Sequence, residues 1–341
     1  IRNGAGAVSR MACRNQGSFC DSPPAIANRR MTQKRDHGGG IDAAIAHYGG
    51  TRESWLDLST GINPNAYPMP KLPHDAWTAL PDQAAFTRLY DLARRFWNVP
   101  EEAAIIGATG ASAIIAALPR VIPTGAVSVP GPTYNEHGAA FAAAGWTLGQ
   151  DPSHAIVAVH PNNPDGRIWQ ADDLTSPFVI IDESFCDVMP GASLIHLSKR
   201  PGTVVLKSFG KFWGLAGLRL GFAIGDPDII HKLTDILGPW QISGPALAIG
   251  AKAFADPQWA SETRACLTGD TARLDRLVTA TGAKLVGGTT LFRLYDVGDA
   301  AAMQDRLARH HIWSRTFPYA DNWLRLGLPA SDRWDQLEAA L

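Results

Sequence analysis

Short apolar runs alternate along the chain with stretches of helical spacing. AIIGAT, AVSV, AIVAV, FVII and TVVL are each a few residues long and apolar almost throughout, as in strands covered on both faces. DQAAFTRLYDLARRF carries apolar residues at intervals of three and four, which predicts an amphipathic helix. HGGGIDAAIAHYGG reads as a glycine-rich loop entering a short helix, and WLDLSTGINPN as a short strand and a turn. EEAAIIGATGASAIIAALPRVI predicts strand, glycine turn and helix, and AVSVPGPTYNEHGAAFAAAG repeats that plan. The alternation predicts an α/β fold with a mostly parallel sheet flanked by helices.

From about Pro245 the texture changes. ALAIGAKAFA and ASETRACLTGDTARLDRLVTAT read as helices ahead of two short strands, AKLVGG and TTLFRLYDV, and a last helix. The expected organisation is a large domain over 75–245 and a smaller α+β domain over 246–341. An arm over 31–74 contributes to the smaller one. Residues 1–30 hold many Gly, Ser, Asn, Pro and Arg and no hydrophobic period. The expectation there is a disordered leader, or an artefact lying upstream of a natural start at Met31.

Composition removes several function classes. The chain of 341 residues is 45% hydrophobic and 18% charged, enough to bury a sizeable core. Its formal net charge of -1, with both signs scattered, argues against a general nucleic-acid binder. Cys13, Cys20, Cys186 and Cys266 have no metal-ligand spacing, so reduced thiols in a cytoplasmic protein without a metal are expected. No apolar run approaches the roughly 20 residues of a membrane span. HGGG lacks the G-x-S-x-G that an esterase reading needs, and no G-x-G-x-x-G follows a strand.

Ligands of open α/β sheets sit beyond the carboxyl ends of the strands. The segments there are GATGAS, PGPTY, HPNNPDG, DES and SFGK. GATGAS, with Gly110, Ala111 and Ser112, suits a phosphate at a helix start, or is an ordinary glycine turn. Asp182 ends an apolar run and could hold a protonated heterocyclic nitrogen, or cap a turn. Asn163 is a turn residue or a ligand contact. Tyr134 stacks on a flat ligand or packs in the core. Lys211, between glycine and phenylalanine in LKSFGKFWGLAGLRLGF, suits a Schiff base if burial lowers its pKa. Ser208 and Arg219 add a hydroxyl and a guanidinium fork for phosphate. Together these parts describe pyridoxal phosphate: an aldehyde on a pyridine ring that bears a phosphate.

The order GATGAS, PTY, NNPDG, IDES, SFGK, GLRLG resembles the class I/II aminotransferases, fold-type I pyridoxal-phosphate enzymes, from about His37 to the end. The resemblance implies that Lys211 forms the Schiff base, Asp182 pairs with the pyridine nitrogen and Asn163 meets the ring oxygen. It implies that Tyr134 stacks on the ring and that Gly110, Ala111, Ser112, Ser208 and Arg219 hold the phosphate. Arg325, in WLRLGLP, matches the arginine for the substrate carboxylate. HGGGIDAAIAHYG and LDLSTGINP are similar to the start of the threonine-phosphate decarboxylases of cobalamin biosynthesis. That implies loss of CO₂ from L-threonine O-3-phosphate, with His37, Gly38, Gly39, Gly61, Asn63 and Arg315 toward the substrate. Gly38 to Gly40 could equally be a flexible loop, and Arg315 a surface arginine. Histidinol-phosphate aminotransferases often carry D-E-A-Y where this chain has Phe185. Leu80 stands where many relatives have a tyrosine reaching the partner subunit's phosphate. A homodimer is implied. The competing expectations are an aminotransferase for a phosphorylated amino acid and a non-catalytic protein that keeps the fold.

Overall fold

Among the described residues, five α-helices begin where a side-chain oxygen accepts a backbone amide of the first turn. The computed structural model describes residues 35–149 and 153–341. The expectations for residues 1–30, with Cys13 and Cys20, fall outside the described residues. In chain order the first elements are α1 (Ile41–Tyr48), β1 (Leu56–Asp57), α2 (Asp75–Thr78), α3 (Gln83–Trp97), β2 (Ala104–Thr109), α4 (Ala111–Ala117), β3 (Ala126–Ser128), α5 (Asn135–Ala143) and β4 (Thr147–Leu148). Then come β5 (Ala155–Val159), β6 (Phe178–Asp182), β7 (Thr203–Ser208), β8 (Leu220–Gly225), α6 (Pro227–Leu237) and α7 (Gly244–Phe254). The last are α8 (Pro257–Ala280), β9 (Lys284–Thr289), β10 (Phe292–Asp296), α9 (Ala300–Arg309), β11 (Ile312–Trp313), β12 (Arg315–Phe317), β13 (Ala320–Gly327) and α10 (Trp334–Glu338).

Asp82, Asp226, Ser243, Asp256 and Asp299 each accept a backbone amide in the first turn of the helix they precede, satisfying one of its free donors. The amphipathic α3 buries Phe86, Leu89, Ala93 and Trp97, the spacing that its sequence shows.

The main sheet has the order β2-β8-β7-β6-β5-β3-β4. Strands β4, β3, β5, β6 and β7 pair in parallel, and β5 and β8 are buried at every residue. One strand departs from the parallel pattern. β8 runs antiparallel to both β2 and β7, because the loop over 209–219 holds no crossover helix to carry the chain back to the other edge. The reversal matters for chemistry. Thr109 lies opposite Leu220 and Ser208 opposite Gly221, so the end of β2, the end of β7 and the start of β8 meet at one end of the sheet's strands.

A second sheet, β12-β13-β10-β9, is antiparallel throughout, and β1 pairs in parallel with β11. In β13, Leu324 and Leu326 are fully buried toward the core, and Arg325 between them points the other way by strand alternation.

Candidate active site

The loop after β7 is built from aromatics. Phe209, Phe212 and Trp213 have no exposed surface, and Trp213 stacks on Phe209 at 5.0 Å and on Trp259 at 5.2 Å. These anchors explain why a lysine stands among apolar residues: the ring side chains fix the backbone and leave Lys211 to face the cleft. Its carbonyl accepts from the Asn63 and Gly214 amides, and its Nζ donates to the Thr60 carbonyl at 3.3 Å. The Phe185 ring centroid lies 5.2 Å from Nζ. Burial, and next the positive charge of Arg325, hold the Lys211 pKa down to about 8, against an opposing pull from Asp182.

Asp182 ends β6 and is buried. Its Oδ1 accepts the Ser184 amide at 2.9 Å and the Ser184 hydroxyl at 2.5 Å, and its Oδ2 lies 2.7 Å from His137 Nε2. Burial alone would raise its pKa. The hydrogen bond and charge of His137, with Ser184, outweigh burial and hold the carboxyl below its ordinary value.

Two adjoining cavities share Tyr134, Asn163 and Lys211. The inner one, about 150 Å³, is also lined by Ala111, Ser112, Asp182, Phe185, Ser208 and Arg219. Arg219 adopts a left-handed backbone conformation that aims its guanidinium at Gly110. A Cβ at Gly110 would lie 2.5 Å from Arg219 Nη2, so only glycine leaves that guanidinium its place.

The outer cavity, about 360 Å³, is lined by Asp36, His37, Gly38, Thr60, Arg315, Tyr319 and Arg325 among others. Arg315 on β12 is the direct cross-strand partner of Arg325 on β13. Arg325 donates to the Asn163 side chain and the Ser59 carbonyl, while its Nε finds no partner. Burial, and next the charge of Arg315, lower the Arg325 pKa to about 10. Arg315 donates both guanidinium nitrogens to the Asp36 carboxylate, and His37 Nε2 lies 2.8 Å from Glu136 Oε1. Gly38 sits against the Ser59 carbonyl with no room for a side chain, and the Gly39 amide donates to Ser59 Oγ.

Two expected substrate contacts stand elsewhere. Asn63 is buried, with Nδ2 on the Phe212 carbonyl and Oδ1 on the Asn65 amide, so its side chain braces the lysine loop and does not line the cleft. Gly61 has a positive φ and packs between the Phe185 and Phe292 rings, where its lack of Cβ makes room for them. Leu80 is exposed, close to the exposed Trp77 and Trp240, and all three line one groove.

The profile of the class I and II aminotransferases matches residues 74–341. The chain belongs to that family. It is 38% identical to a threonine-phosphate decarboxylase of a Sinorhizobium species over 314 residues, 86% of this chain and 92% of the relative. Against the threonine-phosphate decarboxylase of Pseudomonas aeruginosa it is 37% identical over 330 residues, 90% of this chain and 97% of the relative. Histidinol-phosphate aminotransferase from Sinorhizobium meliloti, solved in complex with pyridoxal-5'-phosphate, shares the fold with a TM-score of 0.77 at 18% identity. That match covers 95% of this chain and 97% of the other.

Pyridoxal phosphate is the cofactor of this family member, and the inner cavity fits it. A recessed amine with lowered pKa, a buried carboxylate held anionic, and two serine hydroxyls with a guanidinium surround one space. These are the groups that an aldehyde, a pyridinium nitrogen and a phosphate require.

His137, Ser184 and Tyr319 escaped the sequence reading. His137 lies three residues after Tyr134 on α5, so it faces Asp182 only once α5 packs on the sheet. Ser184 was visible inside DES, where its hydroxyl could have been read as a donor to the carboxylate two residues earlier. Tyr319 lies in the turn between β12 and β13, and no motif marks it.

Proposed function

We propose that the chain decarboxylates L-threonine O-3-phosphate to (R)-1-amino-2-propanol O-phosphate in cobalamin biosynthesis (EC 4.1.1.81). The observation that carries the reading is the placing of two arginines, Arg315 and Arg325, side by side across β12 and β13 in one cleft with Lys211. Like charges directly opposite on a sheet are unfavourable. Two anionic groups on one substrate would balance them, with an amine between for the lysine-bound aldehyde. L-threonine O-3-phosphate has that layout. Histidinol phosphate brings one anion and leaves Arg325 without a carboxylate. The two decarboxylase relatives, matched over nearly their whole length, support the same reading.

Bound pyridoxal phosphate supplies an electrophilic carbon and a protonated ring that accepts the electron pair left behind by CO₂. The protein's own groups do the rest. Lys211, whose pKa burial lowers to about 8, would hold the cofactor aldehyde, give way to the substrate amine and return a proton to Cα. Asp182, kept anionic by His137 and Ser184, holds the ring nitrogen protonated. Asn163, Tyr134, Ser112, Ser208 and Arg219 line the inner cavity, where Asn163 would meet the ring oxygen, Tyr134 would stack on the ring, and Ser112, Ser208 and Arg219 would hold the cofactor phosphate. Arg325 fixes the carboxylate that leaves, and Arg315 with His37 takes the substrate phosphate. Phe185 contributes an apolar wall beside the amine and has no hydroxyl to compete for the ring oxygen.

The protein works as a homodimer in the cytoplasm. The groove with Trp77, Leu80 and Trp240, each more than half exposed, supports the dimer as the face to be covered. No helix among the described residues is long and apolar enough to cross a membrane. The test is to add L-threonine O-3-phosphate to the holoenzyme without any keto acid and follow CO₂. Turnover with the cofactor still an aldehyde is expected. Absence of CO₂, with histidinol phosphate converting the cofactor to its amine, would assign the chain to the aminotransferases.

A further inference from the structure

A short strap of chain, Asp36 to Gly38, lines the outer cavity. Asp36 carries it. The Asp36 carboxylate accepts Nη1 and Nη2 of Arg315 on separate oxygens, each at 2.6 Å, and the Asp36 carbonyl accepts from Asn135 Nδ2 at 2.8 Å. The strap continues through His37, paired with Glu136, to Gly39, whose carbonyl accepts from Trp313 Nε1 at 2.9 Å. Arg315 is recessed, with 13% of its side chain exposed, while Asp36 is 42% exposed. A fork-to-fork pair of this kind is the geometry in which a guanidinium takes a carboxylate or a phosphate from a ligand. The cleft therefore already holds an anion on Arg315, and that anion belongs to the chain.

We propose that Asp36 is an internal stand-in for the substrate's distal anion, and that it sets how strong that anion must be to enter. Substrate phosphate takes the Arg315 fork and Asp36 swings to solvent with its strap. The inference rests on the reading of Arg315 as the arginine for the substrate phosphate. Its physical content is an exchange. A ligand ending in a single carboxylate trades one carboxylate–guanidinium pair for another and gains little. A phosphate carries about -1.5 to -2 charges and three acceptor oxygens, so it gains from the same trade. A ligand with no distal anion leaves the pair undisturbed. Asp36 thus removes the advantage that a singly charged end would have over a neutral one, while keeping part of the advantage of a phosphate. The pair also shields Arg325 from its cross-strand neighbour while the cleft waits for substrate.

The experiment is calorimetric titration of the holoenzyme, whose cofactor fills the inner cavity, with inorganic phosphate, with O-phosphoethanolamine, which has no carboxylate to lose, and with L-alanine. Asp36→Asn removes the competing charge and keeps the shape. A half-exposed ion pair is worth up to about 1 kcal/mol, so both phosphate ligands should bind about five-fold tighter to the variant, and L-alanine should be unchanged. Asp36→Ser should give the same pattern, which guards against an effect of the amide itself. Unchanged or weaker phosphate binding in both variants would overturn the proposal, weaker binding meaning that Asp36 positions Arg315 for the ligand. Arg315→Gln separates the two levels of the argument. If it weakens phosphate binding while Asp36→Asn does nothing, the reading of Arg315 stands and the role of Asp36 falls. If Arg315→Gln also leaves phosphate binding unchanged, both fall.

Discussion

Lys207 and Lys211 lie four residues apart, both withdrawn from solvent, and the protein drives them in opposite directions. Lys207 is on β7, with 2% of its side chain exposed. Its Nζ lies 2.5 Å from Glu183 Oε2 and 3.6 Å from Asp187 Oδ1. Burial works against its charge, but Glu183 and then Asp187 outweigh it and its pKa is raised. Among the described residues Lys211 Nζ donates to one carbonyl, and burial, with Arg325 and Arg219 against the pull of Asp182, lowers its pKa to about 8. Burial is common to both. The sign of the nearest charge makes one a permanent cation that joins strands to helices and the other an amine ready to react. Trp97 and Arg264 extend the first arrangement, donating to the Asp187 side chain and carbonyl.

The largest expected effect breaks the reactive half of the pair. Lys211→Ala should lower CO₂ release by about 10³-fold or more and abolish the absorbance of the lysine-bound cofactor, while pyridoxal phosphate still binds without a covalent link. A persisting band would place the Schiff base on another lysine. Next, Lys207→Met should leave that absorbance intact and destabilise the fold by about 3–5 kcal/mol, because Glu183 and Asp187 lose their buried cation. In that variant Asp187, whose pKa burial already raises, loses the Lys207 charge that opposes the rise, so it holds its proton to higher pH and the loss of stability should shrink as pH falls. A Lys207→Met protein of normal melting temperature and no cofactor band would reverse the two assignments. The smallest effect sharpens the comparison. The neutral amine is the nucleophile, so the rate of reloading the apoprotein with pyridoxal phosphate should climb as pH rises through about 8 and level off above it. Arg325→Gln removes the largest charge that lowers Lys211 and should move that midpoint upward. A rate flat from acid to alkaline pH would contradict a titrating Lys211.

Much of this was legible before folding. The strand runs, the helix at DQAAFTRLYDLARRF and the polar ends of the strands follow from apolar spacing and capping residues, which act over a few positions. That Asp182, Ser208 and Lys211 line one cleft was legible because each lies at or just beyond the end of a predicted strand, and Arg219 through its place eight residues after the lysine. Lys207 was not, since a lysine inside TVVLKS has the same local signature whether it is paired or waiting. Nor was the reversal of β8, because GLRLGF reads as a strand of either direction. Asn63 was misjudged for a related reason: a polar residue in a glycine-proline turn looks available until Phe212 and Asn65 are seen to consume it.

The sequence by itself determined the class of fold, the cofactor and the lysine to which we assign its chemistry, since those depend on short-range pattern and on residue types with few alternative uses. Tertiary structure alone decided which charges face one another. It set Arg315 opposite Arg325, His137 against Asp182, and Asp36 across the Arg315 fork, pairs drawn from segments far apart in the chain. Coulomb energy depends on distance in space and on the dielectric around each pair, and neither quantity is written along the chain.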